Sequence, residues 1–224
     1  TVSTNPCGEI PLCPYDSCRL LAINLYSYVD NPFTKEASFN YERFKSHVAK
    51  AMHLMDDIID LELEKVDLII EKIASDPEDQ DVRQVELNLW HKIKDMALKG
   101  RRTGLGITAE GDMLAALGLR YGSNKALDFA TKVHQTLAVE AYRESVNMAR
   151  VRGAFTVFNA EKEKNNPMIN RLKDADASLY EEMVKYGRRN IAMLTIAPTG
   201  TTSLMSQTTS GIEPVFRPVY KRRR

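Results

Sequence analysis

The sequence predicts an α/β fold in which long helices carry most of the chain. Three observations predict it. Leu20–Val29 (LLAINLYSYV) and Asn190–Ile196 (NIAMLTI) are compact apolar runs of the length of a buried strand. Between them, apolar residues recur at threes, fours and sevens, which is a helical period. Strands separated by helices favour parallel pairing.

In chain order, the first nineteen residues are rich in Pro and Cys and read as an irregular loop. Leu20–Val29 follows as a buried strand, ended by Asp30-Asn31-Pro32. From about Tyr41, Phe44, Val48, Met52, Met55, Ile59, Val66, Ile70 and Ile73 form one stripe on a long helix, which Asp76-Pro77 breaks. The acidic tract Asp76–Asp81 is a surface loop. A second helix spans about Asp81–Lys99 on the stripe Val82, Val85, Leu89, Ile93 and Met96, with Gly100 as its C′ residue. Arg101–Gly111 holds three glycines and reads as a turn-rich loop, leading into a short helix over Asp112–Leu117 with Asp112 as N-cap. Ser123 caps a helix running to about Arg152, where Gly153 stops it. Phe155–Phe158 is predicted as a short strand, followed by helices near Asn159–Lys173 and Ala177–Tyr186. Asn190–Ile196 is the next strand, and Ala197–Ser203 turns from it into a helix start.

Composition excludes several classes. The 224 residues are 43% hydrophobic and 27% charged, values of an ordinary folded domain that exclude a disordered or collagen-like chain. A net charge of +1 gives no case for nucleic-acid binding. No apolar run is long enough to span a membrane, and the first residues carry no signal peptide. An odd count of three cysteines fits a reducing, cytoplasmic setting better than a disulfide framework. Thr1 is no initiator, and Lys221–Arg224 stops without cap or turn, so the chain reads as an internal piece of a longer protein.

Two constellations can carry chemistry. Pro198, Thr199, Gly200, Thr201, Thr202 and Ser203 form a strand–turn–helix with small residues, free amides and hydroxyls, which suits a phosphate. No Lys follows the Gly, so it is not a Walker loop, and an unliganded capped turn is the alternative. Cys7, Cys13 and Cys18 crowd into twelve residues. In an extended backbone Asn5, Cys7 and Glu9 share one face, converging an amide, a thiol and an acid/base carboxylate on one small ligand. Zinc held by the three cysteines and inert buried thiols are the competing readings. The acidic residues beside His53, namely Asp56, Asp57 and Asp60, read as the solvated face of the long helix.

Five blocks in order carry a resemblance: Asn5-Pro6-Cys7-Gly8-Glu9; Ser17-Cys18 with Ala22-Ile23-Asn24-Leu25; Arg101–Thr108 with Gly111-Asp112-Met113-Leu114; Ala197–Thr201; and Ser210–Pro214. Together they resemble the large catalytic chain of ribonucleotide reductase. The first block, with a second cysteine eleven residues on, is similar to the adenosylcobalamin-dependent type. The resemblance implies that residues 1–224 are part of one catalytic domain, a segment of the family's ten-stranded α/β barrel. A finger loop would occupy about 1–19, a helical region about 41–186, and a strand with a phosphate loop about 190–210. It implies that Cys7 becomes a thiyl radical that takes the ribose 3′-hydrogen. Glu9 would accept the 3′-hydroxyl proton, and Asn5 would hydrogen-bond the sugar hydroxyls. Cys18 would be one of two reducing cysteines, and Pro198–Ser203 would hold the phosphates of a ribonucleotide, by preference a diphosphate. No metal ligand of the chain is implied, and Cys13 matches no role. The complete enzyme would be a homodimer served by a thioredoxin- or glutaredoxin-type reductant. The partner of Cys18 and the remaining segments would lie outside this chain, which alone would not turn over. A nucleotide-binding module without catalysis and a zinc-stabilised helical interaction domain are the alternative functions.

Overall fold

The computed structural model describes residues 2–217 together with Val219, Lys221 and Arg223. Thr1, Arg222 and Arg224, which belong to the two ends, lie outside the described residues.

The N-terminal segment is a small antiparallel hairpin, not an irregular loop. Its strands β1 (Ser3–Thr4) and β2 (Pro11–Leu12) pair Ser3 with Leu12 and Thr4 with Pro11. The first long strand, β3 (Arg19–Asn24), is shorter than the apolar run predicts. Asn24 ends it by accepting a hydrogen bond from the Tyr26 amide, which starts one turn of 3₁₀ helix at Leu25–Tyr28. A two-residue pairing of β4 (Val29–Asp30) and β5 (Ser38–Phe39) leads into the helices.

Helix α1 (Tyr41–Ser75) starts where the Asn40 side chain accepts from the Arg43 amide, and ends at Asp76, held extended before Pro77. Its predicted stripe is buried, apart from the half-buried Ile70. Helix α2 (Gln80–Gly100) packs against α1 and bears out only the Ile93 and Met96 part of its predicted stripe, both of them half-buried. Val82, Val85 and Leu89 are exposed, while Leu87, Trp90, Ile93 and Ala97 are half-buried or buried. The left-handed C-terminal residue is Arg101, at φ 46°, and not Gly100. A Cβ on Gly100 would lie 3.2 Å from Ile191 Cγ2, so this glycine serves close packing. The left-handed backbone costs about 1–2 kcal/mol, and the Arg101 guanidinium pairs with Asp56 and Asp60.

Arg101–Gly111 is the largest departure from the sequence reading. Thr103–Thr108 is a fully buried strand, β6, parallel to β3 in the register Arg19↔Thr103 to Asn24↔Thr108. Its glycines make room and do not turn the chain. A Cβ on Gly104 would sit 2.7 Å from Cys18 Sγ, and one on Gly106 would sit 2.1 Å from the Thr195 carbonyl oxygen. Residues 192–195 run along the other side of β6. The Thr103 amide donates to Ala192 O at 3.0 Å, the Leu105 amide to Met193 O at 2.7 Å, and the Thr195 amide to Leu105 O at 3.0 Å. The predicted strand Asn190–Ile196 is thus a third parallel segment, too irregular for a full ladder.

Helix α3 (Glu110–Ala116) begins after left-handed Ala109. Asp112 lies inside it and is not its N-cap. Helix α4 (Asn124–Arg152) has the predicted Ser123 cap and stops at Gly153. Phe155–Phe158 is a turn, not a strand: the Phe158 amide donates to Phe155 O, and both rings pack under Arg188. Pro167 and the Asn166 cap split the next predicted helix into α5 (Ala160–Glu163) and α6 (Pro167–Ala175). α7 (Ala177–Tyr186) and α8 (Gly200–Ser206) complete the chain. The core joins α1, α3, α4, α6 and α7 to one face of β3 and β6.

Asp56 is fully buried, not on a solvated face. Its carboxylate accepts from Arg101 Nε at 2.8 Å, from Asn190 Nδ2 and Arg189 Nε at 3.1 Å, and from Arg152 Nη1 at 3.2 Å. Burial alone would raise its pKa, but the hydrogen bond and charge of Arg101, then Arg189, hold it below the ordinary carboxylate value.

Candidate active site

The hairpin presents the first block of candidate residues at its tip. Asn5, Cys7 and Glu9 do not share a face of an extended strand. The Gly8 amide donates to Asn5 O at 2.9 Å and the Asn5 amide to Ile10 O at 3.1 Å, which closes a tight turn over Pro6–Gly8. Gly8 adopts φ 78°, a conformation open to glycine at no steric cost. The turn leaves Cys7 exposed at the tip. In the same turn, Asn5 Oδ1 and Glu9 Oε2 are buried without a hydrogen-bond partner among the described residues. Buried polar atoms are almost always paired. Both atoms belong to residues that flank Cys7 in the turn, two positions before and two after it.

Cys18 enters from the start of β3. Its sulfur lies against Gly104, and burial, opposed by Arg102 and Arg19, pushes its thiol pKa up to about 11. Cys18 is therefore a neutral thiol at ordinary pH, suited to hydrogen donation more than to attack as a thiolate. Asp16 and Glu9 also face it electrostatically. Asp16 accepts from Arg102 Nε at 2.8 Å, fastening the loop before Cys18 to the start of β6.

The second block lies past the third parallel segment. Gly200, Thr201 and Thr202 open α8 and are exposed, as is Pro198. Thr199 provides no side-chain cap, so the amides at this helix start keep their donors free. Two hydroxyls of the predicted set are not free for a ligand. Thr199 is buried, with its Oγ1 2.9 Å from Thr108 Oγ1, 3.1 Å from Ser210 Oγ and 2.8 Å from the Gly211 amide. Ser203, also buried, donates to Gly200 O. Thr201 and Thr202 carry the outward hydroxyls.

Sequence reasoning missed several residues that shape the site. Thr108 and Asp112 hold the 209–211 loop: Asp112 Oδ2 accepts from the Thr209 amide at 2.7 Å, and Thr108 Oγ1 accepts from the Gly211 amide at 3.2 Å. Thr195, buried between the two blocks, donates to Glu9 O at 2.7 Å. Its one visible signal is a lone hydroxyl inside the apolar run NIAMLTI. The zinc reading loses its ligand set, since no group of three or more metal-ligating side chains lies together among the described residues. A mostly apolar cavity of about 790 Å³ lies between α4, α6 and residues 194–196, but Asn5, Cys7, Glu9 and Cys18 do not line it. Among the described residues no helix is long and apolar enough to cross a membrane.

Comparison with known proteins extends over the same elements. A vitamin B12-dependent ribonucleoside-diphosphate reductase of Mycobacterium tuberculosis (strain CDC 1551) is 29% identical over 98% of this chain and 25% of its own. One of the same name from Thermoplasma acidophilum is 32% identical over 98% of this chain and 23% of its own. The ribonucleoside-diphosphate reductase subunit alpha of Chlamydia pneumoniae is 25% identical over 97% of this chain and 20% of its own. The chain thus spans about a quarter of the length of these relatives. The family model described as ribonucleotide reductase, barrel domain, matches residues 1–224. A match that runs from the thiol-bearing hairpin through the parallel strands to the loop after α8 leaves one assignment: the chain belongs to the ribonucleotide reductase barrel-domain family.

Proposed function

We propose that the complete enzyme containing this chain reduces ribonucleoside diphosphates to 2′-deoxyribonucleotides by a thiyl-radical mechanism. The observation that carries the reading is the hairpin tip, where exposed Cys7 lies between Asn5 and Glu9, whose buried Oδ1 and Oε2 have no partner among the described residues. The relatives' names support the diphosphate substrate and dependence on vitamin B12. Adenosylcobalamin, when bound to the complete enzyme, supplies the one-electron oxidation of the Cys7 thiol. The residues present fit this in that the Cys7 sulfur is exposed and reachable from outside the hairpin.

In this reading the Cys7 sulfur radical takes the 3′-hydrogen of the ribose and becomes a thiol again. Glu9 accepts the 3′-hydroxyl proton, and Asn5 accepts a hydrogen bond from a sugar hydroxyl. The C2′–O bond breaks, and the 2′-hydroxyl leaves as water with a proton from the reducing pair. Cys18 and a second cysteine outside this chain supply two electrons and close a disulfide. The second hydrogen of the pair goes to C2′, Glu9 gives its proton back to the 3′-oxygen, and Cys7 returns its hydrogen to C3′, which leaves Cys7 as the radical it began as. A thioredoxin- or glutaredoxin-type dithiol reopens the disulfide. Gly200, Thr201 and Thr202 hold the phosphates through amides and hydroxyls, while Thr199 and Ser203 shape their loop. The complete enzyme acts as a homodimer in the cytoplasm.

Product analysis with labelled nucleotide tests the roles. Cys7→Ser abolishes all ribose chemistry, because the stronger O–H bond is not broken by the same oxidant. Cys18→Ser still loses the 3′-hydrogen but releases free base in place of deoxynucleotide. Base release by Cys7→Ser would remove Cys7 as the initiating residue.

A further inference from the structure

We infer that Thr195 is a positioning residue that sets where the hairpin tip stands over the parallel strands. The inference rests on the reading of Cys7 and Glu9 given above. Thr195 Oγ donates to the Glu9 carbonyl at 2.7 Å across 186 residues of sequence. Among the described residues this is the one hydrogen bond that joins residues 2–12 to the rest of the chain. At its other end Thr195 is locked to β6. Its amide donates to Leu105 O at 3.0 Å, and its carbonyl oxygen occupies the space a Cβ on Gly106 would need. Its methyl group lies 2.8 Å from the Cβ position of Gly104, the same position that Cys18 Sγ approaches to 2.7 Å.

One side chain therefore sorts two partners by chemistry. The hydroxyl holds the hairpin through Glu9, and the methyl packs where Cys18 packs. Residue 195 is only 8% exposed, so water does not readily replace the hydroxyl once it is removed. The anchored atom is the carbonyl of the very residue whose buried carboxylate oxygen lacks a partner. Losing the anchor lets the Glu9 Cα move, and displacements of about 1 Å at reacting groups cost about 10²-fold in rate. Substrate phosphates bind elsewhere, at the start of α8, so affinity is not expected to follow. The prediction is a loss in kcat without a matching change in KM.

The test uses the complete enzyme with Thr195→Val, which keeps shape and removes the hydroxyl, and Thr195→Ser, which keeps the hydroxyl and removes the methyl. For Thr195→Val, kcat falls about 10–100-fold while KM for the ribonucleoside diphosphate stays within about threefold. Hydrogen exchange at the Asn5 and Gly8 amides speeds up about tenfold, as one lost hydrogen bond implies. Thr195→Ser restores both to near wild-type values. Thr195→Val with unchanged kcat and unchanged exchange overturns the inference. So does a loss that Thr195→Ser fails to restore, since that assigns the effect to the methyl group. If the wild-type enzyme itself makes no deoxynucleotide, the functional reading fails, while the exchange measurement still decides the anchor.

Discussion

At the scale of single residues, the proposed site rests on polar atoms that have no partner among the described residues. Glu9 Oε2 is buried with no partner, next to a backbone carbonyl that is fixed. Glu9→Gln in the complete enzyme keeps shape and hydrogen bonding but cannot accept a proton. Nucleotide binding is expected to persist while turnover falls about 10²–10⁴-fold. Near-normal turnover would take Glu9 out of the mechanism. The two thiols separate by environment. Cys7 is exposed, and Cys18 is held as a thiol by burial, with its pKa near 11. Iodoacetamide at pH 8, followed by peptide mass spectrometry, should label Cys7 well before Cys18. Labelling of Cys18 should rise only as pH nears 11, because the thiolate is the reacting form. Equal labelling at pH 8 would contradict the buried setting.

At the scale of elements, β6 shows how glycine misleads. Gly104 and Gly106 in Arg101–Gly111 carry the composition of a turn, and local propensity has no other reading of them. In the fold they are flat spots on a buried strand, against which residues 192–195 lie at hydrogen-bonding distance. Gly106→Ala places a methyl carbon where the Thr195 carbonyl oxygen stands, 2.1 Å away. Overpacking of this kind typically costs about 1–3 kcal/mol, and here backbone must move. The expected outcome is a lower thermal midpoint with loss of the third parallel segment, read by hydrogen exchange at the Leu105 and Thr195 amides. Unchanged exchange would show that β6 tolerates a side chain. The amphipathic helices are the reverse case. The stripe of α1 is legible because one period runs through 35 residues. On α2 only half of the stripe was legible: Val82, Val85 and Leu89 are exposed, while Ile93 and Met96 are half-buried near Ala97, which packs with Ile59 and Leu63 of α1.

At the scale of the whole molecule, Asp56 ties distant parts together. Its carboxylate takes bonds from the end of α2, the end of α4 and the segment before the third strand, through Arg101, Arg152, Arg189 and Asn190. Asp56→Ala leaves the buried Arg101 with Asp60 as its remaining counter-charge. Breaking one partner of such a cluster costs about 3–5 kcal/mol. The pH dependence has a definite sign. Asp56 has a lowered pKa in the folded chain, so its contribution is present above its ordinary value of 3.8 and is lost as pH falls through the folded value. Wild-type stability should drop more steeply than that of Asp56→Ala below about pH 4, measured by the emission of the single tryptophan, Trp90. Parallel acid profiles would remove Asp56 as the source.

The sequence by itself determined the α/β class, the long helices with their caps at Ser123 and breaks at Asp76-Pro77, and the five blocks that carry the family. These are local signals: a period, a cap, or residue types in a fixed order, each written in consecutive positions. Tertiary structure alone decided that Thr103–Thr108 is a strand, that Asp56 is a buried hub, and that Thr199 faces inward to Thr108 and Ser210. It alone brought Thr195 to Glu9. Each of those outcomes depends on what a residue meets 11 to 186 positions away. A glycine, a carboxylate or a hydroxyl is the same in sequence whether it turns toward water or is packed under another strand. Burial makes the difference, because an unpaired polar group or an extra methyl in a dry interior costs enough to reverse the local preference.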